Sequence, residues 1–124
     1  MPYNILILST RKPGLSSAEF KDRYEGHVRL LKFYAGGLFL KRYRRYYLHS
    51  GVGDHPVVLR GNKAFFDFGA VAEVGFDEEA SHHTFIESLS TEEVSAKIVA
   101  DELEFSDPEK LASVVVGSIQ ETKA

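Results

Sequence analysis

The stretch of sequence that decides the fold covers residues 16–28 and reads SSAEFKDRYEGHV. Ser16 is followed three residues later by Glu19, which is the capping-box pattern that starts a helix. Apolar and aromatic side chains then recur at steps of four and three residues, the spacing of a single helix face. Gly36 and Gly37 predict the end of this helix, because glycine readily adopts the backbone of a C-cap. The predicted inward stripe consists of Phe20, Tyr24, His27, Leu31 and Tyr34.

Segments rich in β-branched and aromatic residues lie on both sides of this helix and predict four strands. Their predicted bounds are residues 3–9, 42–49, 65–76 and 111–119. Acidic residues at 77–79 and at 92–93 predict the starts of two further helices. The order β-α-β-β-α-(α)-β is that of a ferredoxin-like α+β fold, a four-stranded antiparallel sheet with helices on one face. The other face of the sheet is solvated, covered by a partner chain or used for a ligand. Of these we expect a homodimer in which two sheets face each other.

Composition narrows the class of protein. The chain has 124 residues and a mass of 13.9 kDa, which predicts a single domain over residues 1–119 and a loose tail over 120–124. The absence of cysteine excludes disulfides, thiolate catalysis and cysteine-bound metals. No apolar run reaches the ~18 residues of a membrane span, and the N-terminus lacks a secretory signal pattern. We therefore expect a cytoplasmic protein with no membrane partner.

The charge is distributed unevenly along the chain. Residues 1–60 carry 11 Lys and Arg against 4 Asp and Glu, whereas residues 61–124 carry 4 against 14. This asymmetry indicates either a nucleic-acid surface or complementary fields between the two halves or between two copies. The basic, tyrosine-rich run at 41–47 is typical of single-strand binders, but an RNA-recognition pattern is missing and the net charge is −3. We expect no nucleic-acid partner.

His27 is the sharpest candidate for chemistry because a histidine interrupts the apolar stripe of the first helix. It is either a satisfied core histidine or a general acid or base held in an apolar pocket. Metal binding is not expected at His82 and His83, because adjacent helical residues point about 100° apart.

A second group of candidates lies on the predicted second strand, where alternation places Tyr43, Arg45, Tyr47 and His49 on one face. This face is either solvated or presents the Arg45 guanidinium to a carboxylate or phenolate. Asp67, on the next strand, is either a turn or edge residue or a group that orients a histidine.

Three segments together resemble the EthD-domain proteins of the dimeric α+β barrel superfamily: residues 10–16 (TRKPGLS), 20–28 (FKDRYEGHV) and 66–74 (FDFGAVAEV). Within that superfamily the chain is most similar to small fungal decarboxylases of aromatic-polyketide clusters, the type acting on atrochrysone carboxylic acid. The chain departs from the family pattern at Gly26, where the stretch from Tyr24 to His27 is one residue shorter. It departs again at Gly69, where an acidic residue is common.

The resemblance implies a cofactor-free decarboxylase for a polycyclic aromatic polyketide carboxylic acid, with His27 as general acid or base. It further implies that Arg45 or Tyr47 holds the oxyanion and that Asp67 orients the imidazole. No metal or organic cofactor is expected, because the substrate ketone serves as the electron sink. The expected substrate-binding residues are Phe20, Tyr24, Leu31, Tyr43, His49, Phe66 and Phe68.

Two other kinds of function remain open at this point. A polyketide cyclase or dehydratase, or a cofactor-free oxygenase, would use the same pocket for a different reaction. A non-catalytic module that binds a ligand or merely dimerises would need no reactive histidine at all.

Overall fold

Three helices and four strands follow one another through residues 1–66 and 69–124, the part of the chain that the computed structural model describes. Their order is the predicted one. The elements are β1 (Tyr3–Ser9), α1 (Ser17–Ala35), β2 (Arg42–Tyr47), β3 (Ala70–Phe76), α2 (Glu79–Ser88), α3 (Glu92–Glu102) and β4 (Ala112–Val115). None of the helices in this described part is long and apolar enough to cross a membrane.

The start and end of α1 confirm the capping pattern. The Ser16 hydroxyl accepts a hydrogen bond from the backbone N–H of Glu19, and the Glu19 carboxylate accepts one from the backbone N–H of Ser16. These bonds satisfy two N–H groups that a helix start leaves unpaired. Gly36 closes the helix with a φ of 56°, a conformation that glycine adopts without steric cost.

The sheet has the order β2-β3-β1-β4 with antiparallel pairing throughout, which confirms the ferredoxin-like fold. Ile5 lies opposite Val74 and Ile7 opposite Ala72, so these side chains share one face. The helices cover this face, because Ala72 and Val74 are buried while Glu73 between them is not.

The third strand begins later than predicted, at Ala70 instead of residue 65. Residues Lys63–Phe66 form a 3₁₀ turn, and residues 67–68 lie outside the described part of the chain. β3 begins where its two neighbours stop pairing. Ser9 of β1 and Tyr47 of β2 are the last residues to pair with it, and both lie opposite Ala70. For the same reason β2 ends at Tyr47, two residues before its predicted end.

Gly69 marks a close approach between β3 and α1. Its backbone N–H donates to the Ser9 carbonyl at 2.7 Å, which fixes the chain just before β3. A β-carbon at this position would lie 2.8 Å from a ring carbon of Phe20, so a larger residue would displace that ring. Phe20 therefore fills the space in which an acidic side chain would lie.

Two buried clusters lie between the helices and the sheet. The first consists of Phe20, Tyr24, Val28, Ala70 and Phe105. The second consists of Ala35, Leu40, Val74, Phe76 and Phe85. The first cluster lies near the Ser9 end of β1 and the second near its Tyr3 end, since β1 pairs with β3 along its whole length.

The opposite face of the sheet carries apolar side chains that no helix covers. Leu6, on the central strand β1, lies between Glu73 of β3 and Val114 of β4. Val114 is 59% exposed in the single chain, and the Leu6 and Leu8 side chains are half-buried. We name this surface the open face.

Candidate active site

His27 lies on the cavity side of α1 and is almost fully buried, with 6% of its side chain exposed. Its Nδ1 lies 2.8 Å from Oδ2 of Asp101, a residue of the last turn of α3. Its ring packs against Phe105 with the ring centroids 5.2 Å apart. A carboxylate and an aromatic ring therefore hold the imidazole in one orientation.

The contact with Asp101 decides which nitrogen of His27 is available. A carboxylate only accepts hydrogen bonds, so Nδ1 carries the proton and Nε2 of the neutral ring carries the lone pair. Among the described residues Nε2 has no hydrogen-bond partner. His27 lines a cavity that Asp101 does not line. Nε2 is thus the atom that His27 offers to a ligand in that cavity.

Sequence reasoning missed Asp101 as the partner of His27. The expected partner, Asp67, lies outside the described residues, and its role stays a prediction. A signal for Asp101 was present, since residues 94, 98, 101 and 105 recur at helical steps and the first, second and fourth are apolar. An acid on an apolar stripe is unusual, although Asp101 is only partly buried, with 39% of its side chain exposed. The His27 imidazole is its partner.

The cavity beside His27 has a volume of about 340 Å³ and lies between the helices and the helix-covered face of the sheet. Three of the predicted substrate-binding residues line it, namely Tyr24, Leu31 and Tyr43. Ile5 and Ile7 of β1 form part of its sheet wall. A volume of this size falls within the range of small-molecule sites, roughly 300–1,000 Å³.

Two tyrosine hydroxyls meet on the wall of this cavity. The hydroxyl oxygens of Tyr24 and Tyr43 lie 3.0 Å apart. Burial raises the pKa of Tyr24, and burial raises the pKa of Tyr43 well above its usual value. Both phenols therefore keep their protons near neutral pH. One O–H donates to the other hydroxyl, so the pair has one O–H left to donate to a ligand.

Arg45 and Tyr47 lie outside this cavity and form a cluster with Glu25. The Arg45 guanidinium donates from Nε and NH2 to the two Glu25 carboxylate oxygens at 2.6 and 2.7 Å, and the Tyr47 hydroxyl donates to the same carboxylate. The hydrogen bonds from Arg45 lower the pKa of Glu25, while burial and the bond to Glu25 raise that of Tyr47. These two residues, expected to hold an oxyanion, instead join β2 to α1 because Glu25 faces that strand.

The other predicted substrate-binding residues that the structure describes lie away from the His27 cavity. Phe20 packs in the first cluster and, with Tyr47, lines a separate cavity of about 290 Å³ beyond the Ser9 end of β1. His49 follows the end of β2 and is exposed. The Phe66 side chain and the whole of Phe68 lie outside the described part of the structure, so their roles stay predictions.

His82 lines the His27 cavity, a placement that no sequence pattern predicted. Its ring contacts Phe76 and Tyr3 at centroid distances of 5.1 and 5.4 Å, and burial lowers its pKa. His83 is exposed beside it. No group of three or more His, Asp or Glu residues suited to a metal ion occurs within residues 1–66 and 69–124.

Residues 12–109 match the family model of the EthD domain. No curated protein matches the chain in sequence. Solved structures are similar to it over nearly their whole length, at identities that establish the fold alone.

Three of these structures illustrate the range of sources and of sequence identities. A protein of Arabidopsis thaliana has a TM-score of 0.61 at 12% identity, covering 98% of this chain and 99% of its own. A dimeric ferredoxin-like protein from a Jannaschia species has a TM-score of 0.58 at 9% identity, covering 95% and 100%. SnoaB of Streptomyces nogalater, a cofactor-independent oxygenase, has a TM-score of 0.53 at 14% identity, covering 97% and 95%.

The Glu25 cluster predicts a pH-dependent contribution to stability. The folded pKa of Glu25 is below its ordinary value of 4.5, so its contribution is present above that value and is lost as the pH falls through the folded pKa. Glu25→Gln should lower the free energy of unfolding by about 1–3 kcal/mol at pH 7, because a partly buried Arg45 loses its charge partner. The difference from wild type should shrink in acid, as urea titrations at several pH values would measure.

The matched control for this prediction is Glu104→Gln, since Glu104 is 61% exposed and its pair with Arg23 is longer, at 3.5 Å. That change should alter stability by less than 0.5 kcal/mol, which is roughly the effect of an ordinary surface substitution. Equal effects of the two substitutions at pH 7 would show that Glu25 is not held as described.

Proposed function

The chain belongs to the EthD family, and we propose that it is a cofactor-independent decarboxylase of a polycyclic aromatic polyketide carboxylic acid. The observation that carries the proposal is the His27–Asp101 pair on the wall of an apolar cavity. A histidine that a carboxylate orients, with its other nitrogen free, is suited to general acid–base catalysis. The aromatic and aliphatic walls are suited to a flat ring system.

The proposed reaction breaks the bond between the ring system and its carboxylate, which lies β to a ketone or ortho to a phenol. The electron pair of that bond moves into the β-carbonyl, which for an ortho-phenol acid is the carbonyl of its keto tautomer, as carbon dioxide leaves, giving an enolate or phenolate. Protonated His27 then delivers its Nε2 proton to the vacated carbon, and solvent restores the proton to the imidazole. Asp101 accepts the Nδ1 hydrogen bond and so holds Nε2 toward the cavity.

The developing negative charge on the carbonyl oxygen needs hydrogen-bond donors. Tyr24 and Tyr43 line the cavity and keep their protons, so we assign them this role. Arg45 and Tyr47 contribute indirectly in this proposal, because Arg45 also donates to the backbone carbonyl of Tyr43 at 2.9 Å. They thereby hold the strand from which Tyr43 projects.

The similarity to SnoaB favours a second candidate, a cofactor-independent oxygenase. In that reaction neutral His27 would remove a proton from an activated ring carbon, and molecular oxygen would then react with the resulting carbanion. The two candidates use the same cavity and the same nitrogen. They differ in their need for oxygen and in the mass of the product.

A homodimer through the open face completes the proposal. The face presents Leu6, Leu8 and Val114 to solvent in the single chain, and similar proteins are described as dimeric. Arg44 and Glu73 lie on the same face with their charged groups 4.0 Å apart, so a second copy would meet both charges. Covering this face would leave the His27 cavity, on the other side of the sheet, accessible.

Decarboxylation is tested by anaerobic incubation of the EDTA-treated protein with a panel of anthrone and anthraquinone carboxylic acids. Mass spectrometry should detect loss of carbon dioxide, with deuterium from heavy water at the vacated carbon. His27→Gln should lower turnover by ~10²-fold or more, and Asp101→Asn by about tenfold or more, with substrate still bound. His83→Gln is the matched control, because His83 is exposed and should leave turnover unchanged.

Other outcomes of this experiment point to other functions. Turnover that requires oxygen would favour the oxygenase, and loss of water without loss of carbon dioxide would favour a cyclase or dehydratase. Binding of the acids with no conversion under either atmosphere would favour a non-catalytic module.

The dimer is tested by light scattering of the wild-type protein and two matched variants. Val114 is 59% exposed on the open face, and Val99 is 53% exposed on α3. Wild type and Val99→Glu should have twice the chain mass of 13.9 kDa, whereas Val114→Glu should shift toward the single chain, because it brings like charges together in an apolar contact. A wild-type mass of one chain would contradict the dimer.

A further inference from the structure

Two buried polar atoms have no hydrogen-bond partner in the described part of the chain, Oγ of Ser106 and Nδ1 of His82. Both residues line the His27 cavity. Such atoms are rare in folded proteins, because a polar group removed from water without a partner costs free energy. Two of them around one cavity suggest that a bound molecule supplies the missing partners.

The two residues lie at opposite ends of the cavity. Ser106 forms a bridge with Arg11, two residues beyond the Ser9 end of β1. The His82 ring lies against Tyr3 and Phe76, which pair with each other at the other end of β1. Tyr3 and Ser9, six positions apart, are the two ends of β1, so the two polar atoms lie toward different ends of the cavity.

The sheet side of the space between these ends is largely apolar, since Ile5 and Ile7 of β1 and Val74 of β3 line it. Polar side chains also line the cavity, among them Tyr24, His27, Tyr43, Glu102 and Ser113. A molecule that lies along the sheet therefore needs an apolar body, and polar groups at its two ends would reach Ser106 and His82. Ser106 and His82 both have rotatable side chains, so neither polar atom is fixed in its present direction.

We propose that Ser106 and His82 are specificity-determining residues that bind the two polar ends of an elongated, planar substrate. Ser106, which follows the Phe105 that packs against His27, hydrogen-bonds the oxygen-bearing end at which His27 acts. His82 hydrogen-bonds a hydroxyl or carbonyl on the most distant ring. This inference rests on the proposed function only for which end of the substrate reacts. The binding of both ends by Ser106 and His82 does not depend on the reaction.

The test measures binding by calorimetry in a His27→Gln parent, in which turnover is suppressed, with two anthraquinone carboxylic acids that differ in one hydroxyl on the ring remote from the carboxylate. This parent should bind the hydroxylated acid about five- to tenfold more tightly, the effect of one net hydrogen bond. His82→Phe, which keeps a ring against Tyr3 and Phe76, should abolish this preference. Ser106→Ala should lower the affinity for both acids by about five- to tenfold and keep the preference for the hydroxylated acid.

Thermal denaturation separates this role from a structural one. Removing an unpaired buried hydroxyl should leave the melting temperature of the ligand-free Ser106→Ala protein unchanged or raised, whereas removing a structural hydrogen bond would lower it. Ser106→Cys, nearly isosteric, is the second variant if Ser106→Ala folds poorly. Ser81→Ala is the matched control, because Ser81 adjoins His82 without lining the cavity.

The possible results decide the inference independently of the reaction. Retained preference in His82→Phe, unchanged affinity in Ser106→Ala, or no binding of either acid to the His27→Gln parent would overturn it. Tight, hydroxyl-dependent binding with no decarboxylation by wild type would support the inference while contradicting the proposed function.

Discussion

The hydrogen bond between His27 and Asp101 is the interaction on which the site depends. It joins two helices whose contacting residues are 74 positions apart in the sequence. Without Asp101, the buried imidazole could rotate, and neither nitrogen would be directed toward the cavity. With it, the proton is assigned to Nδ1 and the reactive position to Nε2. The fold therefore determines the chemistry through one contact between α1 and α3.

Two neighbouring residues of α1 contact different parts of the structure. His27 faces the cavity, while Glu25, two residues earlier, faces β2 and binds Arg45 and Tyr47. Residues two apart on a helix point in different directions, so one short stretch can both contact the sheet and present His27 to the cavity. This arrangement explains why the basic strand β2 is structural in its middle yet places Tyr43 on the cavity wall.

The parts of the structure that local pattern controls were predictable from the sequence. The capping box and stripe defined α1, and the order of elements gave the sheet topology. The start of β3 was not predictable, because it depends on where Ser9 and Tyr47 stop pairing. The placement of Arg45 depended on Glu25 from another element, and the role of Asp101 on a distant histidine. Long-range contacts of this kind leave little trace in a single sequence.

The state of the His27 ring is the most direct test of this account. Long-range ¹H–¹⁵N correlation spectra, recorded above the pH at which histidines titrate, report which nitrogen carries the proton. We expect a protonated Nδ1 and an unprotonated Nε2. The Nε2 resonance should shift when an anthraquinone carboxylic acid binds. Asp101→Asn should weaken the preference for this tautomer. A proton on Nε2, or an Nε2 resonance that does not respond to the bound acid, would contradict this account.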